Sequence, residues 1–217
     1  MTDYNEKPLF EKYLDLAKYR NKLNINLERQ HEAATIIAAK YWLNMDMLIF
    51  AFIDRSISLI NGFITLVDDW NYIASAPFVR MQLDNLIRLA YLASLKDGKD
   101  IYDKTIEGIH WRSIKAKNGK LLTDTELRKY ATKYYSWIDE VYEKASGFIH
   151  FSDRHLLIMT NEDSNKGQVE ISIGHQATHL NKEDWKDLLS IFLKITEATT
   201  DVIRGWVQRK QAITSDK

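Results

Sequence analysis

Two sets of polar side chains recur at the four-residue spacing that places residues on one face of a helix. Arg80, Asp84 and Arg88 form the first. An aspartate one turn from each of two guanidiniums can neutralise them as a solvated ion-pair ladder, or can hold both toward an anionic ligand such as phosphate. Tyr142, Ser146 and His150 form the second set, with Arg154 and His155 just beyond. Histidine moves protons near neutral pH, and a hydroxyl one turn away can fix its tautomer, so this set suits general acid/base work. It suits equally a capped helix end whose histidine makes an ordinary hydrogen bond. No Gly-x-Ser-x-Gly elbow surrounds Ser146, which sets aside a serine hydrolase.

Other chemistries find less support. His175 and His179 have the spacing of two metal ligands on a helix, but Gly174 before them and Asn181 after them suggest a loop, and no metal site is expected. There is no phosphate-cradling glycine loop, no His-Glu-x-x-His and no pair of Glu-x-x-His helices, so no cofactor is expected either. The tryptophans and tyrosines fall on helical apolar periods, which assigns them to the core rather than to a base-stacking platform.

The elements that must position these residues read as mainly α. Glycine (8) and proline (2) make up 10 of 217 residues, near 5% where an average chain carries roughly 12%. So few turn residues exclude a sandwich or barrel of short strands and argue against a doubly wound α/β fold. Three helical stretches are expected from Pro8 to about Leu95. In the second, Ile49, Ile53, Ile57, Ile60, Ile64 and Val67 keep the helical period; in the third, where Pro77 should sit in the first turn or start the helix anew, Val79, Leu83, Leu86, Ile87, Ala90 and Tyr91 form a buried face. A short helix from about Ile101 to Lys115 and a turn at Asn118-Gly119 follow. Thr123 to Glu126 fits a capping box opening a long helix whose Leu127, Ala131, Tyr134, Ile138, Val141 and Ala145 stay in period until Gly147. The period then changes to that of a small β-hairpin at about 156–174, before a last helix capped by Asn181. The expected fold is thus a single helical-bundle domain spanning 1–217 with one small hairpin before the last helix.

Thirty basic against thirty acidic side chains leave no net field to attract nucleic acid, DNA included, or an anionic membrane, so any such binding must come from a local patch. With no cysteine there is no disulfide, thiolate site or thiol nucleophile. The first residues lack a secretory signal, and the longest apolar run, Met47 to Ile53, falls far short of the roughly 20 residues that span a bilayer. A cytoplasmic location without membrane contact is expected.

The runs Phe78 to Leu92 and Tyr142 to His150, with an Arg-x-x-x-acid helix ahead of a Ser-x-x-x-His segment, resemble marks of HEPN-like helical proteins of bacteria. The resemblance covers about Met45 to His155. It implies a helical bundle, commonly a homodimer, whose active members cleave RNA without metal by an arginine and a histidine four to six residues apart. No arginine here has a histidine at that spacing downstream. On the resemblance, His150 would be the general acid/base, and Arg80 and Arg154 would supply the positive charge, with Asp84 positioning Arg80 and with Arg88, Ser146, Tyr142 and His155 in support. The expectation is a homodimer that acts on or binds RNA or a nucleotide, its catalytic form being a metal-independent ribonuclease of defence or toxin systems. A non-catalytic protein-interaction module and a sensor of an anionic small ligand are the alternatives.

Overall fold

The computed structural model describes residues 6–39, 43–116, 118–149, 152–163, 168–171, 173–174 and 176–215. The fold is mainly helical. Its elements are α1 (Leu9–Lys12), α2 (Ala17–Ala38), α3 (Asn44–Asp68), α4 (Tyr72–Ala93), α5 (Lys99–Ile106), α6 (Asp124–Thr132), α7 (Ile138–Ile149), α8 (Asp153–Met159) and α9 (Lys182–Ser215). Strands β1 (Thr160–Asp163) and β2 (Gln168–Ile171) pair antiparallel, Thr160 opposite Ile171 and Asp163 opposite Gln168.

Helix α4 is central, packing against α9, α3, α7 and α6. It buries Leu83, Leu86, Ile87, Leu89 and Leu92, each contributing about 1.5–3 kcal/mol of burial free energy. Of the expected stripe on α3, Ile49, Ile53, Ile60 and Val67 are buried and Ile57 and Ile64 are half-buried, while the buried Phe63 beside them stacks on Phe192 of α9. By length and composition α3 is apolar enough to cross a membrane, with mean hydropathy 1.6 over its most apolar eighteen residues, 44% of which are buried inside the protein. Core helices meet the same criterion, and α3 supplies much of this core.

Polar groups inside the bundle set its register. Gln30 of α2 donates its amide to the Thr200 hydroxyl of α9 (2.9 Å), Gln82 of α4 donates to Ser56 of α3 (2.8 Å), and Asn85 donates to the Phe52 carbonyl (3.1 Å). A slip of any helix would leave these buried donors unpaired, which costs about 1–3 kcal/mol each. At the other end of the bundle the Lys210 ammonium of α9 donates to Asp46 (2.6 Å) and to the Ile37 carbonyl (2.8 Å), while Trp206 Nε1–H donates to the second Asp46 oxygen (3.0 Å). Asp46 also accepts from the Leu43 N–H (2.7 Å), so one carboxylate caps α3 and ties it to α9. At the α3–α4 corner Trp70 sits at φ 61°, a left-handed backbone that costs a non-glycine residue about 1–2 kcal/mol. Its burial, its indole bond to the Lys7 carbonyl (2.9 Å) and its edge contact with Trp185 hold it there.

Seven expectations about the elements are corrected. The long helix after Asp124 is two helices, because a turn at 133–137 lets α6 and α7 lie separately on α4, and packing there outweighs the uninterrupted period. Tyr134 falls in that turn and is 66% exposed, not core, and Gly147 lies inside α7 instead of ending it. The short helix stops at Ile106: Gly108 adopts φ 78° and the Ile109 N–H returns to the Lys104 carbonyl, a left-handed helix stop. Asn71 caps α4 through the Ala74 N–H (3.1 Å), placing Pro77 in its second turn. Residues 156–159, expected to begin the hairpin, are helical in α8, and Thr123 caps α6 while Glu126 turns to Lys120 and Lys129 instead of back to the cap. The turn at Asn118-Gly119, with Gly119 at φ 78°, and the Asn181 cap of α9 are as expected.

Lys210→Met strands the Asp46 carboxylate in the core and should lower stability by about 3–5 kcal/mol in urea unfolding. Lys182→Met, which removes an exposed pair with Asp15, should leave the midpoint where it is. Equal midpoints for the two variants would contradict the tie between α3 and α9.

Candidate functional site

The stripe Arg80, Asp84, Arg88 is not a free-standing ladder. Arg55, the sole basic residue of α3, reaches across to Asp84 (3.5 Å), and Asp124, in the first turn of α6, reaches down to Arg88 (2.6 Å) and Arg80 (3.8 Å). Asp84 therefore receives Arg55, Arg80 (3.5 Å) and Arg88 on one carboxylate. Three guanidiniums face two carboxylates, which leaves one positive charge. Burial pulls the Arg55 guanidinium below its ordinary pKa, aided by the charge of Arg80. Burial does the same to Arg88; Asp124 offsets part of it, and Arg55 and Arg80 add to it.

Exposure orders the cluster from inside to outside. The Arg80 side chain is 14% exposed, Asp84 and Arg88 are 22% exposed, and Asp124 is 47% exposed. Asp124 is thus the outer carboxylate, bridging two guanidiniums as an oxyanion with two accepting oxygens would. On the α7 side, the Arg80 and Arg128 guanidiniums lie 3.8 and 4.3 Å from the centre of the Tyr142 ring. Cations against that aromatic ring hold α4, α6 and α7 together. Arg128 is in turn paired with two carboxylates, Asp139 (2.9 Å) and Glu143 (2.8 Å), which outnumber it by one charge.

Among the described residues, the second expected constellation joins the first at Tyr142. Ser146 donates its hydroxyl to the Tyr142 carbonyl (2.8 Å), an ordinary bond within its own helix. His150 lies outside the described residues, and Arg154 belongs to α8 with its side chain outside them; His175 is likewise outside. His155 accepts from the Ser152 N–H at Nδ1 (3.2 Å) and lines a separate cavity of about 200 Å³ with Ile73, Met159 and His179, away from the arginines. His179 there holds the Ile158 carbonyl through Nε2. No group of three or more histidines and acids able to hold a metal ion occurs among the described residues.

Sequence reading missed Arg55, Asp124 and Arg128. Arg55 carried a signal, a lone basic residue within an apolar helix. Asp124 was seen only as part of a cap, because nothing local shows that α6 lies over α4. The chain matches no family model, no curated protein and no solved structure.

Asp84→Asn should leave Arg80 and Arg88 with Asp124 alone and take from Arg55 its carboxylate partner, lowering stability by about 2 kcal/mol, less than for a fully buried pair. Adding Arg55→Gln removes part of the repulsion and should recover part of that loss in a double-mutant cycle. A double variant less stable than Asp84→Asn would refute the account of Asp84 as common counter-ion.

Proposed function

We propose that this protein is a HEPN-like helical protein that binds RNA or a nucleotide through its phosphate at Arg55, Arg80 and Arg88, as a homodimer in the cytoplasm. The observation that carries this reading is Asp124, the most exposed group of the cluster, spanning Arg80 and Arg88 where a ligand phosphate would make the same two contacts. A phosphate that displaces it gains the forked guanidiniums of Arg80 and Arg88. In this reading the paired β1 and β2 form a small hairpin ahead of the last helix.

Binding is better supported than cleavage. Arg80 is engaged by two carboxylates and a tyrosine ring, which suits a fixed anchor more than a group that follows developing charge. In the catalytic form of the proposal, His150 is the general acid/base and Arg154 the second cation. A second reading, a protein-interaction module, draws on apolar side chains left in solvent: Leu156 and Leu157 on α8, Ile171 at the end of β2, and Ile173, which is 82% exposed.

Calorimetric titration with uridine monophosphate separates these. Binding should be abolished by Arg88→Gln and strengthened several-fold by Asp124→Asn, which removes the competing carboxylate. Loss of binding in Asp124→Asn, or no binding by the wild type, refutes the phosphate site. Incubation with cellular RNA in EDTA tests the catalytic form: cleavage must be present in the wild type and lost in His150→Ala.

A further inference from the structure

The turn that separates α6 from α7 leaves an aromatic ridge on the surface. Tyr130 and Tyr134 lie one turn apart with their hydroxyls 3.3 Å from each other and ring centres 5.5 Å apart, and Tyr91 of α4 meets Tyr130 edge-on at 5.5 Å. A groove runs along each side of Tyr130. The one toward α9, of about 370 Å³, is walled by Tyr130, Tyr134, Tyr135 and Trp206 and floored by Ala93 and Gly205. The one toward the 118–122 turn, of about 270 Å³, lies between Tyr91 and Tyr130 and is rimmed by Lys120, Lys129 and Lys133.

Gly205 decides how open the first groove is. It lies inside the long helix α9, where glycine costs stability relative to alanine. A Cβ built there would meet nothing within 4 Å, so no close helix packing requires the glycine. Its effect is to keep side-chain atoms out of the groove floor. Charge decides the second groove: three lysines stand against Glu126, whose carboxylate Lys129 and then Lys120 hold below the usual range. Two positive charges are left over. Lys133 also lies over the Tyr130 ring, 6.0 Å from its centre. Arg209 closes the far end of the α9 groove, its guanidinium fixed on the Ala93 and Lys96 carbonyls (3.0 and 3.1 Å). Asp201 is the acid that adds to the raised pKa of Tyr135, whose main cause is burial.

We infer that this ridge and its two grooves bind single-stranded RNA, an unpaired base entering the aromatic groove over Gly205 while the phosphodiester chain crosses Tyr130 onto Lys129, Lys133 and Lys120. Aromatic faces beside a basic edge are the arrangement that takes unpaired bases with their backbone. A duplex does not fit, because its bases are stacked away from the tyrosines. The inference rests on the phosphate reading for its ligand class and names the form of that ligand.

The test uses the full chain and a labelled oligouridylate of about ten nucleotides, within the usual range of single-strand site sizes. Gly205→Leu fills the groove from the helix side and should weaken binding about tenfold or more while thermal stability holds or rises; Gly205→Ala should bind as the wild type does. Tyr134→Ala, at an exposed position, should weaken binding at least about fivefold, and Lys129→Gln with Lys133→Gln should flatten the salt dependence. The inference is overturned if Gly205→Leu and Tyr134→Ala bind normally, or if a duplex of equal length binds as tightly. It is also overturned, with the phosphate reading intact, if uridine monophosphate binds in an Arg88-dependent way and the oligonucleotide does not. If neither ligand binds, both fall.

Discussion

Helix α4 is packed on by α3, α6, α7 and α9, so its one ionised stripe has little open solvent to face. Charges in that position must be neutralised by the neighbours or left at a large desolvation cost. Each neighbour but α9 answers: α3 sends Arg55 to Asp84, α6 sends Asp124 to Arg80 and Arg88, and α7 lays Tyr142 against the Arg80 guanidinium. The site and the packing of the bundle are therefore one arrangement. Moving α6 off α4 would remove Asp124 from the arginines as well as the apolar contacts of Leu127 and Ala131.

The rest of the interior is organised to keep α4 in register. Gln82 and Asn85 lie on the buried face of the same helix and bond to α3, while Gln30 and Thr200 join α2 to α9. Such bonds add modest free energy but penalise any slipped packing, since each misplaced helix leaves a buried amide unpaired. Asp46 and Lys210 do the same for the far end of α9. A bundle fixed in this way holds Arg80 and Arg88 in place before any ligand arrives, which lowers the ordering cost of binding.

Much of the helical architecture was legible because periodicity reports which face is buried: the α3 stripe, the buried face of α4 and the Asn181 cap follow directly from spacing and cap chemistry. Period alone failed where tertiary contacts overrode it. Nothing between Lys133 and Trp137 breaks a helix by residue type, yet α6 and α7 separate there so that both can lie on α4. That break turned Tyr134 from an expected core residue into a surface one. For the site, the spacing of Arg80, Asp84 and Arg88 was visible within one helix. Arg55 and Asp124 join them from 29 and 36 positions away from their partners, a proximity that the fold creates and no local pattern encodes.

The central claim is that the arginines around Asp84 form one anion site with Asp124 as its displaceable internal occupant. Side-chain NMR of the arginine Nε–H groups, with phosphate titrated into the full-length protein, tests it most directly. The account predicts that Arg55, Arg80 and Arg88 shift together along one saturable curve while Arg209, committed to the end of α4, stays fixed. Uniform, non-saturating shifts across all arginines would contradict it.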